Sequence, residues 1–300
     1  MAVTSHSGSG RTAAPRDRLA LVLLLTLAIL IVEVVGSIVT GSLALLSDAG
    51  HVLVDILGLS IALAAVWVAQ RPPTKGRTFG LQRLEVLAAT LNAILLLVIA
   101  VFVVVQALRR LSRPVRIEAE PMLAFALVGL AANGVALVLL RDAQHHSLNA
   151  RGAYLEVFGD LASASAVIAA AIVIAVSGWT LADVVASAAI GLLILPRTLA
   201  LLLEAMHILL EGTPHGVDID QVRRHIRDAP GVVDCHDLHA WTITSGVNVV
   251  SAHVVLADGT DPARALDALS ECLADDFEIE HSTFQLEAVD RRPFEERAHA

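Results

Sequence analysis

The sequence has few charged residues and few cysteines for its length. Charged residues make up 17% of the 300 residues and hydrophobic residues 56%, which is more apolar than a soluble domain needs for its core. The two cysteines, Cys235 and Cys272, form no CxxC pair, so we expect free thiols and no disulfide framework. No HExxH pattern occurs, which argues against a zinc hydrolase. Composition therefore predicts a polytopic membrane protein.

Six apolar runs are long enough to cross a membrane, because a hydrocarbon core of about 30 Å needs about 20 helical residues. The runs lie at 18–40, 43–69, 84–108, 121–140, 153–177 and 180–204. Six spans place both termini on one side. If that side is the cytosol, nine basic residues lie inside and four outside, in agreement with the positive-inside rule.

The chain beyond residue 211 has a different composition. Residues 212–300 hold 7 basic and 17 acidic groups, whereas residues 1–211 hold 14 and 13, and this negative charge argues against nucleic acid as a partner. The hydrophobic pattern there predicts helix, strand, strand, helix and strand, with a hairpin turn at Ser245 and Gly246. We therefore expect a cytosolic arm at 1–17, a six-helix transmembrane domain at 18–210, an α+β domain at 211–290 and a tail at 291–300.

Two of the apolar runs carry a matching pair of ionisable residues. His51 and Asp55 are four residues apart, as are Glu156 and Asp160, so each pair shares one helix face. A carboxylate facing lipid costs at least a few kcal/mol, and the spans contain no basic residue except Arg197. One imidazole and three carboxylates suit Zn²⁺ and tolerate Co²⁺ or Cd²⁺. Because such ligands bind metal only when deprotonated, this site predicts exchange of metal for protons.

Polar residues in the spans can also be explained without a metal site. Polar side chains often form hydrogen bonds between membrane helices, and any one of these residues could do only that. Asp48, three residues before His51, is a further candidate metal ligand. Three residues are interpreted as packing or supporting groups, namely Glu33, Asn92 and Asn133. Five histidines are interpreted as solvated surface residues, namely His6, His207, His215, His225 and His299.

Five motifs in order resemble the cation diffusion facilitators, proton-coupled exporters of zinc and related divalent metals. The motifs are "GSLALLSDAGHVLVD", "RTFGLQRLEVLAA", "RGAYLEVFGD", "LLEGTPHGVD" and "HDLHAWTITSG", and the resemblance extends roughly over residues 19–289. The sequence looks most like the bacterial cobalt-zinc-cadmium resistance branch. The resemblance implies an inner-membrane homodimer embedded in lipid, with cytosolic termini and a ferredoxin-like, metallochaperone-like C-terminal domain.

The resemblance also implies functional residues. It places the transport site at His51, Asp55, Glu156 and Asp160. Many zinc-transporting members carry His where this chain has Glu156, and a carboxylate there makes the site harder and more anionic. Strict zinc selectivity is therefore not expected.

A second metal site is expected in the C-terminal domain. His236, His253 and His281 each lie in a predicted strand and match the family's cytosolic ligands, with Glu287 beside them. His239 and Cys235 are further candidates, although strand alternation predicts that both face away from His236. Zn²⁺, Co²⁺ or Cd²⁺ would bind there as a regulatory ion that favours the dimer, and no other cofactor is expected.

Three classes of function are compatible with these features. The leading hypothesis is a secondary transporter that exchanges divalent metal for protons and is not an enzyme. A second is a membrane-tethered metal sensor whose intramembrane sites are structural. A third, an intramembrane metalloenzyme, would need an open coordination position and a general base beyond the ligands.

Overall fold

The computed structural model describes residues 16–113, 115–141, 148–277, 279 and 281–289, with backbone alone at 16–20 and 148–153. The tail expected at 291–300, nearly all of the arm expected at 1–17, and His6 and His299 lie outside the described residues. The described chain forms two compact units. One includes the chain up to Leu59 and Asn92–Leu199, and the other includes Ser60–Leu91 and the chain from Ala200.

Six helices are long and apolar enough to cross a membrane, which confirms the predicted fold class. They are α1 (Arg16–Thr40), α2 (Leu43–Ala69), α3 (Leu84–Ser112), α4 (Ala119–Leu140), α5 (Leu148–Ser177) and α6 (Leu181–Leu209). The third and sixth helices extend four or five residues beyond the apolar runs that predicted them.

Small residues form much of the buried contact in the first unit. Ala126 of α4, Ala171 of α5 and Ala186 of α6 are buried in one cluster with Met122 and Ile190. Such residues allow helices to approach closely, which matters because lipid supplies no hydrophobic driving force between helices. Large apolar side chains are instead exposed, including Ile38, Val138 and Val176 at 72–85%, as expected for a surface that faces lipid.

The N-terminus of α2 is held by a carboxylate from α6. Asp183 is fully buried, and it accepts hydrogen bonds from the backbone N–H groups of Leu43 (2.7 Å) and Ala44 (3.0 Å) and from the Ser42 hydroxyl (2.5 Å). Arg110 lies 3.2 Å from the same carboxylate. Asp183 therefore satisfies the first donors of α2 and balances a partly buried positive charge.

Replacing Asp183 should destabilise the helix bundle. We expect Asp183→Ala to lower the free energy of unfolding by roughly 3 kcal/mol or more, because it leaves the α2 donors without their acceptor and Arg110 without its carboxylate partner. Thermal unfolding of the detergent-solubilised protein measures this, with Glu118→Gln as control because Glu118 forms an exposed ion pair. An unchanged melting temperature for Asp183→Ala would contradict this assignment.

The C-terminal α+β domain packs two helices on one face of a three-stranded sheet. Its elements are α7 (Ile219–Asp228), β1 (Val232–Thr244), β2 (Val247–Leu256), α8 (Pro262–Phe277) and β3 (His281–Ala288). The strand order is β1-β2-β3, with β1 antiparallel and β3 parallel to β2. Val222, Ile226, Leu269 and Leu273 from the helices share a core with Val254 of the sheet. The element order is the predicted one.

A β-bulge in β1 overturns one prediction about this sheet. His236 pairs with His253 and His239 pairs with Ser251, so two residues of β1, Asp237 and Leu238, oppose one residue of β2. The strand is irregular at Asp237, whose φ is 49°. Asp adopts this left-handed conformation more readily than most residues. His236 and His239 therefore lie on the same face of the sheet, and the expectation of opposite faces was wrong.

Candidate metal centres

The two carboxylate-bearing helices bring their ionisable residues together inside the first unit. His51 Nε2 of α2 lies 3.2 Å from Asp55 Oδ2 on its own helix and 3.9 Å from Asp160 Oδ1 of α5. The Glu156 carboxyl lies next to that of Asp55. The side chains of His51, Asp55 and Asp160 are only 9–17% exposed. The spacing of four residues on each helix therefore produces one group of one imidazole and three carboxyls.

This group retains unused ligand capacity. His51 Nδ1 and Asp160 Oδ1 are buried and have no hydrogen-bond partner among the described residues. Buried polar atoms without partners are rare in proteins because each loses its hydration without compensation. A cation bound between His51 Nε2 and the carboxyls would satisfy Asp160 Oδ1, which lies 3.9 Å from that nitrogen, so this group of residues fits a divalent metal as its substrate.

Asp48 lies in an adjoining set of buried polar groups. It is 1% exposed, and its side chain lies beside those of Glu33 of α1 and Ser163 of α5. Glu33 is 2% exposed, and a Cβ at Gly129 of α4 would lie 3.4 Å from its carboxyl oxygen. The structure thus places Asp48 with Glu33, a residue for which the sequence indicated only a supporting role.

The other two polar residues singled out in the spans are Asn133, which is buried, and Asn92, which is half-buried. Asn133 is 3% exposed, and its Nδ2 has no partner among the described residues. The Asn92 amide of α3 occupies the space that a side chain would need at Gly58 of α2. Close approach of α2 and α3 at this point therefore requires glycine.

A second cluster lies on the sheet face opposite the helices of the C-terminal domain. His253 Nδ1 lies 2.9 Å from Glu287 Oε1, and His236 Nε2 lies 3.2 Å from Glu287 Oε2. One ligand atom from each of the three residues lies within 4.8 Å of the other two. The register explains this, since His236 and His253 are direct cross-strand neighbours and Glu287 pairs with Val255, two residues from His253.

The chemistry of this cluster fits a divalent metal ion. The Glu287 side chain is fully buried, and a buried carboxylate is costly unless it is paired with charge or binds a metal. The two imidazole rings lie at 68° to each other with centroids 5.1 Å apart, so their nitrogens approach Glu287 from different directions. Two imidazoles and one carboxylate are a common partial ligand set for zinc.

The bulge adds two residues to the same face. His239 Nε2 lies 3.0 Å from Asp237 Oδ1, and His253 Nε2 lies 3.8 Å from Asp237 Oδ2. The His253 ring therefore lies between Glu287 and Asp237. Sequence reasoning missed Asp237 because strict strand alternation gives no reason to place it beside His253, and the only indication was its position in "CHDLH".

Two other candidates lie apart from this cluster. His281 pairs with Val249, four residues from His253 along β2, and its ring packs edge-on against Phe79 with centroids 5.6 Å apart. Cys235 is buried in the hydrophobic core beneath the helices, and burial raises the pKa of its thiol to about 11. A thiol that stays protonated and faces the core is a poor metal ligand.

These features define the class of protein. The chain is a six-helix integral membrane protein with a small α+β domain, and each part gathers imidazole and carboxyl groups suited to divalent metal.

Comparison with known proteins identifies the family. Residues 19–210 match the cation efflux transmembrane domain, and residues 214–289 match the cytoplasmic domain of cation efflux proteins. The chain therefore belongs to the cation diffusion facilitator family and is of the cobalt-zinc-cadmium type.

Relatives are similar over most of their length. The metal cation efflux system protein CzcD of Cupriavidus metallidurans is 45% identical over 90% of this chain and 85% of its own. The zinc transporter ZitB of Escherichia coli is 40% identical over 87% of this chain and 84% of its own. A relative in Bacillus subtilis described as a cadmium, cobalt and zinc/H(+)-K(+) antiporter is 37% identical over 84% of this chain and 81% of its own.

A solved structure covers part of the C-terminal domain. The metal-bound C-terminal domain of the Cupriavidus CzcD transporter is 42% identical, with 24% of this chain and 99% of that chain covered and a TM-score of 0.23.

The cluster in the C-terminal domain predicts which substitutions affect metal binding. We expect His253→Ala in the full-length protein to weaken binding of one Zn²⁺ per chain by at least about tenfold, because His253 contacts both acids of the cluster. Calorimetry in detergent measures the affinity and the number of ions bound.

The matched control is His281→Ala, which removes an imidazole from the same sheet but from outside the cluster. Its Zn²⁺ binding should equal that of the wild type. An equal loss in the two variants would make His281 a ligand and would contradict the assignment of the cluster.

Proposed function

We propose that this protein is a secondary transporter that exports Zn²⁺, together with Co²⁺ and Cd²⁺, from the cytosol in exchange for protons. The observation that supports this most directly is the buried group formed by His51, Asp55, Glu156 and Asp160 between α2 and α5. It lies within helices that are long and apolar enough to span a membrane.

The ligand types support a divalent transition metal as the substrate. Na⁺ and K⁺ are hard cations that select oxygen ligands, whereas an imidazole nitrogen favours Zn²⁺ and Co²⁺. Three carboxyls broaden this preference, since oxygen ligands suit harder ions as well. The metals in the relatives' names, zinc, cobalt and cadmium, are those that such a mixed set accepts.

The contact between Asp55 and Glu156 supports proton exchange. Two carboxylates this close repel each other unless a proton or a cation lies between them, and a proton held there must leave when both carboxylates bind a metal. Metal entering from the cytosol therefore displaces a proton, and a proton entering from outside displaces the metal. An inward proton gradient then drives metal outward if the site opens to each side in turn.

The C-terminal domain acts in this proposal as a cytosolic metal-responsive dimerisation module. Metal bound by His236, His253 and Glu287 ties β1, β2 and β3 together, and binding to the folded form stabilises it. The excess of acidic residues after residue 211 repels between two copies without metal. We place the protein in the bacterial inner membrane as a homodimer with both termini in the cytosol.

Transport by reconstituted protein tests the proposal. Proteoliposomes with an imposed pH gradient should take up ⁶⁵Zn²⁺ or Co²⁺ and release protons. Asp55→Asn and Asp160→Asn should each reduce the initial rate by at least about tenfold, because each removes a charged ligand. Glu120→Gln is the matched control, since Glu120 is an exposed acid at the start of α4.

The outcome also separates transport from sensing. Metal binding without uptake by the wild-type protein would favour a membrane-tethered sensor. Unchanged uptake by the Asp55 and Asp160 variants would exclude this site as the transport site.

Glu156 provides a test of metal selectivity. We expect Glu156→His to increase the preference for Zn²⁺ over Co²⁺ and Cd²⁺, because a second imidazole with one fewer carboxylate makes the site less anionic and less tolerant of other ions. Competition among Zn²⁺, Co²⁺, Cd²⁺, Ni²⁺ and Mn²⁺ in proteoliposomes measures the ranking. The same ranking in both proteins would show that Glu156 does not determine selectivity.

A further inference from the structure

Two histidines and a glutamate come together where α6 ends and the chain continues towards α7. Glu204 and His207 are three residues apart on α6 and share a face of the helix. His215 follows in the connecting segment 210–218, which we call the linker. The rings of His207 and His215 are stacked at 25° with centroids 4.8 Å apart, and His215 Nε2 lies 2.7 Å from Glu204 Oε2. The sequence alone indicated only solvated surface for these two histidines.

The path of the linker creates this arrangement. Glu211 adopts a φ of 59° at the end of α6, and the Gly212 backbone N–H donates to the His207 carbonyl at 2.9 Å. The chain therefore turns back over the last turn of the helix. A Cβ at Gly212 would overlap the imidazole ring of His207, so the ring occupies space that only glycine leaves open.

The hydrogen bonding of His207 fixes which ring nitrogen can bind a metal. His207 Nε2 lies 2.8 Å from the Thr213 carbonyl oxygen, and because a carbonyl only accepts, Nε2 carries the hydrogen. In the neutral ring Nδ1 then has the lone pair. A hydrogen bond from one ring nitrogen to a backbone carbonyl, with the other nitrogen bound to metal, is the usual arrangement for metal-binding histidines.

We propose that Glu204, His207 and His215 form a binding site for a divalent transition metal such as Zn²⁺, separate from the two centres described above. The ligands are the Glu204 carboxylate, His207 Nδ1 and His215 Nε2, and water completes the coordination. Metal takes the place of the hydrogen between His215 Nε2 and Glu204, and that hydrogen moves to Nδ1 of the same ring or to water. Bound metal ties the linker to the end of α6.

The three ligand atoms move closer together when metal binds. Among the described residues, only His236, His253 and Glu287 hold three ligand atoms within 4.8 Å of one another, so the Glu204 group must tighten around the ion. The His215 side chain is 66% exposed and can rotate about its side-chain bonds at little cost. Its position in a linker allows this movement without disturbing α6.

Site-resolved histidine modification of the full-length protein in detergent tests the proposal without measuring transport. Diethyl pyrocarbonate labelling is followed by mass spectrometry at each histidine during a Zn²⁺ titration. Zn²⁺ should protect His207 and His215 with the same half-saturation. Glu204→Gln and Gly212→Ala should each raise that half-saturation by at least about tenfold, the first by removing charge and the second by displacing the His207 ring.

The matched control is His225 on α7, an exposed imidazole 3.7 Å from the carboxylate of Asp276. Zn²⁺ should not protect it, and His225→Ala should leave protection of His207 and His215 unchanged. Equal labelling of His207 and His215 with and without a large molar excess of Zn²⁺ would overturn the proposal. The three residues would then only form hydrogen bonds that hold the linker against α6. Equal protection of His225 would overturn it as well, because that result indicates non-specific binding.

Discussion

Carboxyl groups inside a membrane helix bundle need a proton, a cation or a hydrogen-bond donor, and this requirement explains the interior of the first unit. Asp55, Glu156 and Asp160 meet beside a single imidazole. Arg197 is the fixed positive charge that acts on all three, and one such charge cannot neutralise three carboxylates. A permanent ion pair for every carboxyl would neutralise the group but would leave no capacity for a substrate. The group is therefore stable only with an exchangeable partner, which is what a carrier requires.

Asp183 shows the opposite use of a buried acid. Its carboxylate is fully satisfied by Ser42, the first donors of α2 and Arg110, so it has no capacity left for a mobile ion. Two buried aspartates in one bundle thus have different roles because their partners differ. Partner identity, and not burial alone, separates the structural acid from the acids suited to a substrate.

The sequence predicts those features that depend on helical or strand periodicity. Apolar runs located the six helices, and the spacing of four residues put His51 with Asp55 and Glu156 with Asp160 on shared faces. Periodicity fails where the backbone departs from it. The bulge at Asp237 reverses the alternation of β1, and the left-handed Glu211 folds His215 back onto His207. Both depend on single φ values that residue type does not determine, since Asp and Glu adopt them only where the surrounding chain compensates.

The cap on α2 has a mechanical consequence. His51 and Asp55 lie eight and twelve residues beyond Leu43, which at 1.5 Å per residue is about 12 Å and about 18 Å along the helix. If the capped end serves as a pivot, any tilt of α2 displaces Asp55 half as far again as His51. A small rotation would then change the distance from α5 more for Asp55 than for His51, so the arrangement of these two side chains changes before the helix itself has moved far.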